Sequence, residues 1–235
     1  MSDILKTLVE DPRTMDLFRY LVNGSFIRVV NYHSTRPMDA ERFEREVACF
    51  AENFVPVTTQ MLDEFFETRI WPADKPGLIP AVYEGWRENY DVFTKILDKY
   101  NFRGWFFVPA FFPDVPVEQQ DEYCPAHGLY RHAQEDYEDC RRCMTWEELR
   151  SLAQRHEICC HTGNHQRITP QMPEEKIRLE VIDSKKRLEE MTGAKVSVFC
   201  WNKGEDYSRV PYTHKYFEEA GYRYVVSNLK LEKIR

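Results

Sequence analysis

The sequence predicts an α/β fold in which helices cover a mostly parallel β-sheet. Short apolar runs alternate repeatedly with stretches of helical periodicity between residues 27 and 226, which is the pattern of β–α–β units. The chain has 235 residues, of which 43% are hydrophobic and 14% aromatic, and this is enough to bury one sizeable core. No internal repeat or low-complexity segment is evident. We therefore predict a single domain that spans residues 1–235.

The predicted strands are short runs rich in β-branched, aromatic and other apolar residues. They span residues 27–30, 78–82, 104–109, Glu157–Cys160, 196–200 and Tyr224–Val226. Because helical stretches separate these strands, we expect them to lie parallel in one sheet.

The predicted helices are marked by their caps and by apolar residues at helical spacing. Residues 1–25 are predicted to form a polar helical lead-in that docks through Leu17, Phe18 and Leu21. Asp39 is expected to cap a helix, Thr58 or Thr59 to begin the next, and Thr145 with Glu148 to form a capping box. Pro173 suits a helix start, and Gly193 and Gly221 are expected to end helices.

Charge and hydropathy exclude several classes of partner. The formal net charge is −7 and the sequence pI is about 5.6, which argues against a nucleic-acid or anionic-membrane surface. No apolar run approaches the roughly 20 residues of a membrane-spanning helix. The first residues lack the basic and long apolar regions of a secretory signal. We therefore predict a cytoplasmic protein with a small-molecule or oligosaccharide partner, and no sequence feature indicates its oligomeric state.

Residues 111–143 are polar and rich in charge, and they are predicted to form an irregular excursion from the fold. Two residues separate Cys124 from His127, and two separate Cys140 from Cys143. Two such pairs suit a structural zinc site with four ligands. The alternative is an excursion that carries three reduced cysteines, because a chain with seven cysteines and no export signal is not expected to form a disulfide framework.

His161 and His165 follow the predicted strand Glu157–Cys160. Two imidazoles at this spacing, on a turn after a strand, can reach one divalent ion and leave open positions for water and substrate. The carboxyl end of a strand is also where α/β proteins place their chemistry. The alternative is that both are surface or capping histidines.

His161-Thr-Gly-Asn-His165 matches the second motif, His-(Ser/Thr)-x-x-His, of the polysaccharide deacetylase family, also called carbohydrate esterase family four. Asn31-Tyr32-His33 resembles the early Tyr-His segment of that family, and the resemblance covers roughly residues 27–228. It implies a distorted (β/α) barrel with the site at the strand ends. It also implies a metal-dependent hydrolase of non-peptide C–N bonds, which removes acetyl groups from N-acetylated sugars or cleaves a small amide.

The first motif of the family, Asp-Asp-Gly-Tyr-x-x-Asn-Tyr, aligns with the segment from Tyr83 to Tyr90. By this resemblance Glu84 replaces a metal-ligand Asp and would bind zinc or a similar ion with His161 and His165. Tyr83 then stands in the position of the general base, for which a phenol that titrates near 10 is poorly suited. A slip of one residue instead makes Glu84 the base, as in the related cofactor-independent allantoinases.

The third motif aligns with residues 199–204 and lacks the Arg that orients the base in the family. Trp86, Trp201 and Asn202 are predicted to contact substrate, although core packing is an alternative for the aromatic residues. Further candidates for acid–base or supporting roles are His33, Glu88, Glu205 and Asp206. Because the base and its Arg are both missing, a catalytically silent binding protein remains an alternative to a hydrolase.

Overall fold

A computed structural model describes residues 27–130, 137–205, 207–227 and 231–234. The predicted lead-in with Leu17, Phe18 and Leu21 lies outside these residues. The strands are β1 Ile27–Tyr32, β2 Val55–Pro56, β3 Gly77–Tyr83, β4 Trp105–Val108, β5 Glu157–Cys160, β6 Val198–Phe199, β7 Tyr224–Val226 and β8 Leu231–Lys233. Each main strand predicted from the sequence is present, with bounds that differ by a few residues.

The helices cover the sheet between successive strands. They are α1 Ala40–Asn53, α2 Thr59–Thr68, α3 Lys95–Lys99, α4 Val117–Ala126, α5 Trp146–Leu152, α6 Glu174–Arg178, α7 Ser184–Thr192 and α8 His214–Ala220. A π-helical segment, Asn89–Thr94, leads into α3, and another, Leu179–Asp183, joins α6 to α7. Among the described residues, no helix is long and apolar enough to cross a membrane.

The strands form one eight-stranded sheet in the order β1-β3-β4-β5-β6-β7-β8, with β2 also paired to β3. All pairs are parallel except β7 with β8, which is antiparallel. This nearly closed sheet with surrounding helices confirms the predicted distorted (β/α) barrel. Parallel pairing brings the carboxyl ends of β3, β4 and β5 to the same edge, which is the edge that carries the predicted site.

Alternating side chains divide the core into two layers, as the two-residue period of a strand requires. One layer fills the barrel interior and includes Ala81, Tyr83, Phe107 and Cys159. The other layer, which includes Phe106, packs between the sheet and the helices. Tyr83 therefore points into the barrel interior at the end of β3.

The local signals at helix ends are mostly confirmed. Thr58 accepts a hydrogen bond from the Met61 amide at the start of α2, and Thr145 with Glu148 forms the predicted capping box. Gly193 and Gly221 end α7 and α8 in the left-handed conformation. Asp39 occupies the cap position of α1 but makes no capping hydrogen bond, because its carboxylate is paired with Arg36.

The prediction of an irregular excursion at 111–143 is wrong for part of that segment, because the ten-residue helix α4 lies within it. The helix has few apolar residues and buries only Gln120 and Cys124, so its sequence shows little helical periodicity. Polar tertiary contacts help to hold it in place. The Gln120 side-chain oxygen accepts hydrogen bonds from the backbone amides of Arg142 and Cys143.

Candidate active site

The candidate site lies at the carboxyl ends of β3 and β5, on the two sides of β4. The Glu84 amide donates to the Phe107 carbonyl at 2.9 Å, and the His161 amide donates to the Val108 carbonyl at 3.0 Å. These hydrogen bonds extend the sheet ladders by one residue beyond each strand. The register of the sheet therefore determines where both side chains leave it.

Three non-glycine residues of the site have left-handed backbone conformations. Their φ angles are 72° at Glu84, 65° at Thr162 and 55° at His165. This conformation costs roughly 1–2 kcal/mol for a residue with a Cβ atom. Strained residues of this kind concentrate at functional sites, where the surrounding structure holds them in place.

The two histidines are buried and oriented through their Nδ1 atoms. Nδ1–H of His161 donates to the Cys200 carbonyl at 3.0 Å, and Nδ1–H of His165 donates to the His127 carbonyl at 2.9 Å. Burial lowers the pKa of His161 to about 3 and also lowers the pKa of His165. Both imidazoles are therefore neutral near pH 7, with Nε2 carrying the free lone pair.

Glu84 faces His165 from the end of β3. Its Oε1 atom is 3.9 Å from His165 Nε2, and its Oε2 atom accepts a hydrogen bond of 2.7 Å from the Trp86 indole. Burial raises the pKa of Glu84 to about 7, although the Trp86 hydrogen bond lowers it, and the nearby Glu88 carboxylate raises it further. A carboxyl group that titrates near neutrality can exchange protons at physiological pH.

Glu84, His161 and His165 match a catalytic zinc site in donor chemistry, because such sites use three imidazole and carboxylate ligands. A carbonyl oxygen on the second ring nitrogen is also the usual support of a metal-binding histidine. Among the described residues, however, no three His, Cys, Asp or Glu side chains converge as a preformed metal cluster. The donor set fits a divalent ion, and the side chains would have to close around it.

Glu180 holds the turn that carries the two histidines, and sequence reasoning missed it. Its carboxylate accepts hydrogen bonds from the amides of Gly163 and Asn164, both at 2.8 Å, and from the Asn164 side chain at 2.9 Å. Glu180 is only 2% exposed. A signal was available, since Glu180 lies three residues after Ile177, on the apolar face of the predicted helix.

Tyr83, which the motif alignment predicts at the general-base position, is packed between two rings. It stacks on Phe107 with ring centroids 4.8 Å apart and on His33 with centroids 5.1 Å apart. Within the described part of the chain its hydroxyl has no oxygen or nitrogen partner, and it lies against the Cys200 thiol. Burial raises the pKa of Tyr83 well above its usual value, so the hydroxyl keeps its proton.

His33 brings a third imidazole to the site from the end of β1. The Asn89 side-chain amide donates to the carbonyls of both His33 and Tyr83, at 3.0 and 3.1 Å, and thus joins the ends of β1 and β3. Next to Asn89, Glu88 is fully buried and accepts a hydrogen bond from the Ser34 hydroxyl at 2.7 Å. Glu205 is ion-paired with Arg167, and Asp206 lies outside the described residues.

The predicted substrate contacts have different surroundings. Trp86 is buried against Phe112, and its indole N–H reaches Glu84. Trp201 is buried between Phe199 and Phe217. Asn202 donates to the His165 carbonyl at 2.5 Å. In this structure Trp86 and Asn202 therefore support Glu84 and His165, whereas Trp201 belongs to the core.

The four predicted zinc ligands of the excursion do not converge in this structure. Cys124 and Cys143 are buried in one cluster with Trp86, whereas Cys140 is exposed. The His127 imidazole stacks on Tyr123 and donates through Nδ1 to the Tyr123 carbonyl. Because His127 instead supplies the carbonyl that orients His165, the excursion contributes to the site through its backbone.

Barrels of the (β/α) class carry their active sites at the carboxyl ends of the strands. This barrel has an acid and two neutral imidazoles at that edge. The family model for polysaccharide deacetylases matches residues 82–225, more than half of the chain. The chain therefore belongs to the polysaccharide deacetylase family, as the motif resemblance predicted. No curated protein sequence matches it significantly.

Solved structures of deacetylases share the fold. The Streptococcus pyogenes deacetylase PplD, in complex with acetate, is 15% identical with a TM-score of 0.66, covering 88% of this chain and 86% of its own. A de-N-acetylase from Aggregatibacter actinomycetemcomitans is 17% identical with a TM-score of 0.64, covering 88% and 90%. IcaB from Ammonifex degensii is 18% identical with a TM-score of 0.57, covering 86% and 84%.

Proposed function

We propose that this protein is a metal-dependent hydrolase of non-peptide C–N bonds that removes the acetyl group from an N-acetylated sugar or cleaves a small amide. The arrangement of Glu84, His161 and His165 carries the proposal, because two neutral imidazoles and a carboxylate face one another at the barrel edge. Family membership and the names of the structural neighbours support deacetylation.

In this proposal, Glu84, His161 and His165 would hold the metal, most suitably zinc, which polarises an amide carbonyl and lowers the pKa of a bound water toward about 7. The carbonyls of Cys200 and His127 keep both imidazoles in the tautomer that leaves Nε2 available. The Trp86 indole holds one carboxylate oxygen of Glu84 and leaves the other facing His165.

Glu84 has two possible roles, and different observations favour them. Its Oε1 atom lies 3.9 Å from His165 Nε2, which favours a shared metal. Its pKa of about 7 in this buried position suits a general base, the role implied by the slipped alignment. Tyr83 does not fit the second role, since its hydroxyl stays protonated. We propose the ligand role and test it against the base role.

The test uses the protein loaded with zinc, measured for metal content and for acetate or ammonia release from N-acetyl sugars and cyclic amides. We expect His161→Ala to abolish both zinc binding and turnover, and His214→Ala, a histidine away from the site, to retain both. Glu84→Gln should weaken zinc binding if Glu84 is a ligand. If Glu84→Gln instead keeps zinc but loses turnover, Glu84 is the base.

A second candidate function is a catalytically silent protein that binds metal or sugar. The packed, protonated Tyr83 at the family's base position favours it, as does the sequence Cys200-Trp201-Asn202, which lacks the orienting Arg. Retained zinc and saturable sugar binding, without turnover of any N-acetyl sugar or cyclic amide, would establish this function and refute the hydrolase.

A further inference from the structure

A groove lies between α4 and the turn that carries the two histidines. Its volume is about 520 Å³, within the range of about 300–1,000 Å³ that is typical of small-molecule sites. Two residues of its lining also belong to the candidate active site. Asn164 stands between His161 and His165 in the chain, and the His127 carbonyl holds His165. The groove therefore adjoins the histidine turn through these two residues.

The walls of the groove are held by contacts across it. The Tyr123 hydroxyl donates to the Asn164 side-chain oxygen at 3.3 Å, which joins α4 to the histidine turn. Tyr123 is itself stacked between Phe112, at 5.4 Å, and His127, at 3.8 Å. Such a wall is formed before any ligand binds, which reduces the entropy cost of binding.

The lining suits a sugar ring. Phe111, Val115, Pro116 and Ala126 supply apolar surface, which can contact the C–H face of a pyranose. Gln119 and Asn164 add amide groups to the same groove, and amides both donate to and accept from hydroxyl groups. An apolar surface with a few polar groups is the usual composition of a small-molecule site.

The charges of the lining restrict the kind of sugar. Asp114 and Glu122 both line the groove, and among the described residues no lysine or arginine lines it. Asp114 is paired with Arg187 at 2.6 Å and accepts a hydrogen bond from Trp146, whereas Glu122 is exposed. A ligand that carries a carboxylate would meet Glu122 with no compensating cation from the lining.

We propose that this groove is a subsite for a neutral N-acetylated sugar next to the one that is deacetylated, and that it rejects sugars bearing a carboxylate. The proposal rests on the deacetylase function and narrows its substrate to a neutral oligosaccharide. It predicts that chain length and sugar charge both affect kcat/KM through residues of α4.

The first experiment blocks the groove. Gln119 lines it, whereas Glu118, the preceding exposed residue of α4, does not. For the wild type, we expect kcat/KM on N-acetylglucosamine tetrasaccharide to exceed that on the monosaccharide by about tenfold. Gln119→Trp should remove this advantage, measured as the ratio of the two kcat/KM values, and Glu118→Trp should retain it. Equal wild-type kcat/KM for both sugars, or equal behaviour of the two variants, overturns the proposal.

The second experiment reverses the charge of Glu122 in the lining of the groove. The wild type should bind the neutral tetrasaccharide more tightly than a hyaluronan tetrasaccharide, in which uronic acids alternate with N-acetylglucosamine. Glu122→Lys should strengthen hyaluronan binding by about fivefold at low ionic strength, with a smaller effect in high salt. Glu118→Lys, with the same charge change outside the groove, should not. Equal effects of the two variants would show a general charge effect and refute the selectivity.

Failure of the proposed function can be recognised separately. If the zinc-loaded protein turns over no N-acetyl sugar, the hydrolase proposal fails, and calorimetry with the neutral tetrasaccharide then tests the groove. Saturable binding that Gln119→Trp weakens and Glu118→Trp does not would support the subsite in a binding protein. Absence of binding to the wild type would overturn it.

Discussion

Replacing Glu180 by alanine should destabilise the turn that carries His161 and His165. The Glu180 carboxylate is buried and accepts three hydrogen bonds from that turn, two of them from backbone amides. In Glu180→Ala these donors lose their acceptor. The Gly163 amide is buried and cannot bond to water instead, whereas the half-buried Asn164 can.

The expected loss in unfolding free energy is about 2–4 kcal/mol, since each buried donor without a partner costs roughly 1–3 kcal/mol and Asn164 can partly rehydrate. This is a large share of the roughly 5–15 kcal/mol that stabilises a typical domain. Glu180→Gln keeps an acceptor for the backbone amides but sets an NH₂ group against the Asn164 amide, so we expect a loss of about 1 kcal/mol.

The assay is urea unfolding of the zinc-free protein together with calorimetric zinc titration, with Glu175→Ala as the control at an exposed acid of α6. For the proposed zinc site, affinity should fall by about 10–100-fold in Glu180→Ala, as is usual when the support of a metal ligand is lost. Glu180→Gln provides the same comparison should the alanine variant not fold. A stability loss equal to that of Glu175→Ala, or an unchanged zinc affinity in both Glu180 variants, would refute the reasoning.

Three further predictions concern the end of β3. Burial raises the pKa of Glu84 from its ordinary 4.5 to about 7, so the zinc-free wild type should lose stability as the pH rises from about 4.5 to about 7. Glu84→Gln cannot ionise, so its unfolding free energy relative to that of the wild type should rise by about 3 kcal/mol between pH 4.5 and pH 8 in urea unfolding. An equal difference between the two proteins at both pH values would contradict this. Trp86→Phe removes a hydrogen bond that lowers the pKa of Glu84, so carbon-13 NMR titration should show that pKa raised, and an unchanged value would show that the indole is not its partner. Gly85→Ala should cost about 1–2 kcal/mol, because φ is 68° and the new Cβ would lie 3.3 Å from Val108. Gly128→Ala, at φ 66° in open space, should cost less stability. Equal losses in the two variants would show that backbone strain alone accounts for the cost at Gly85.

Much of the fold could be predicted because its signals are local. The capping box of Thr145 and Glu148 and the helix ends at Gly193 and Gly221 depend on a few neighbouring residues. Helix α4 has no such local signal, because its Gln120 side chain bonds to the backbone of Arg142 and Cys143, which lie 22 and 23 residues further along the chain. Helical periodicity in a sequence arises from apolar residues on a buried face, and α4 buries almost no apolar residues.

The sequence also placed Glu84, His161 and His165 at strand ends, but it could not assign the surroundings of aromatic residues. For Trp86 and Trp201 the sequence leaves substrate contact and core packing as alternatives, and the structure buries both rings. An exposed and a buried tryptophan have the same local sequence signals, since burial depends on which segments pack against the ring.

The sequence by itself determined the alternation of strands and helices, the single-edge placement of the site and the family. Only the tertiary structure decided the chemical state of the site. The pKa of Glu84 near 7 requires burial, and the tautomers of His161 and His165 require the carbonyls of Cys200 and His127, which lie more than thirty residues away. Helix caps and strand periods arise from neighbours in the chain, whereas desolvation and these hydrogen-bond partners exist only after distant segments have packed together.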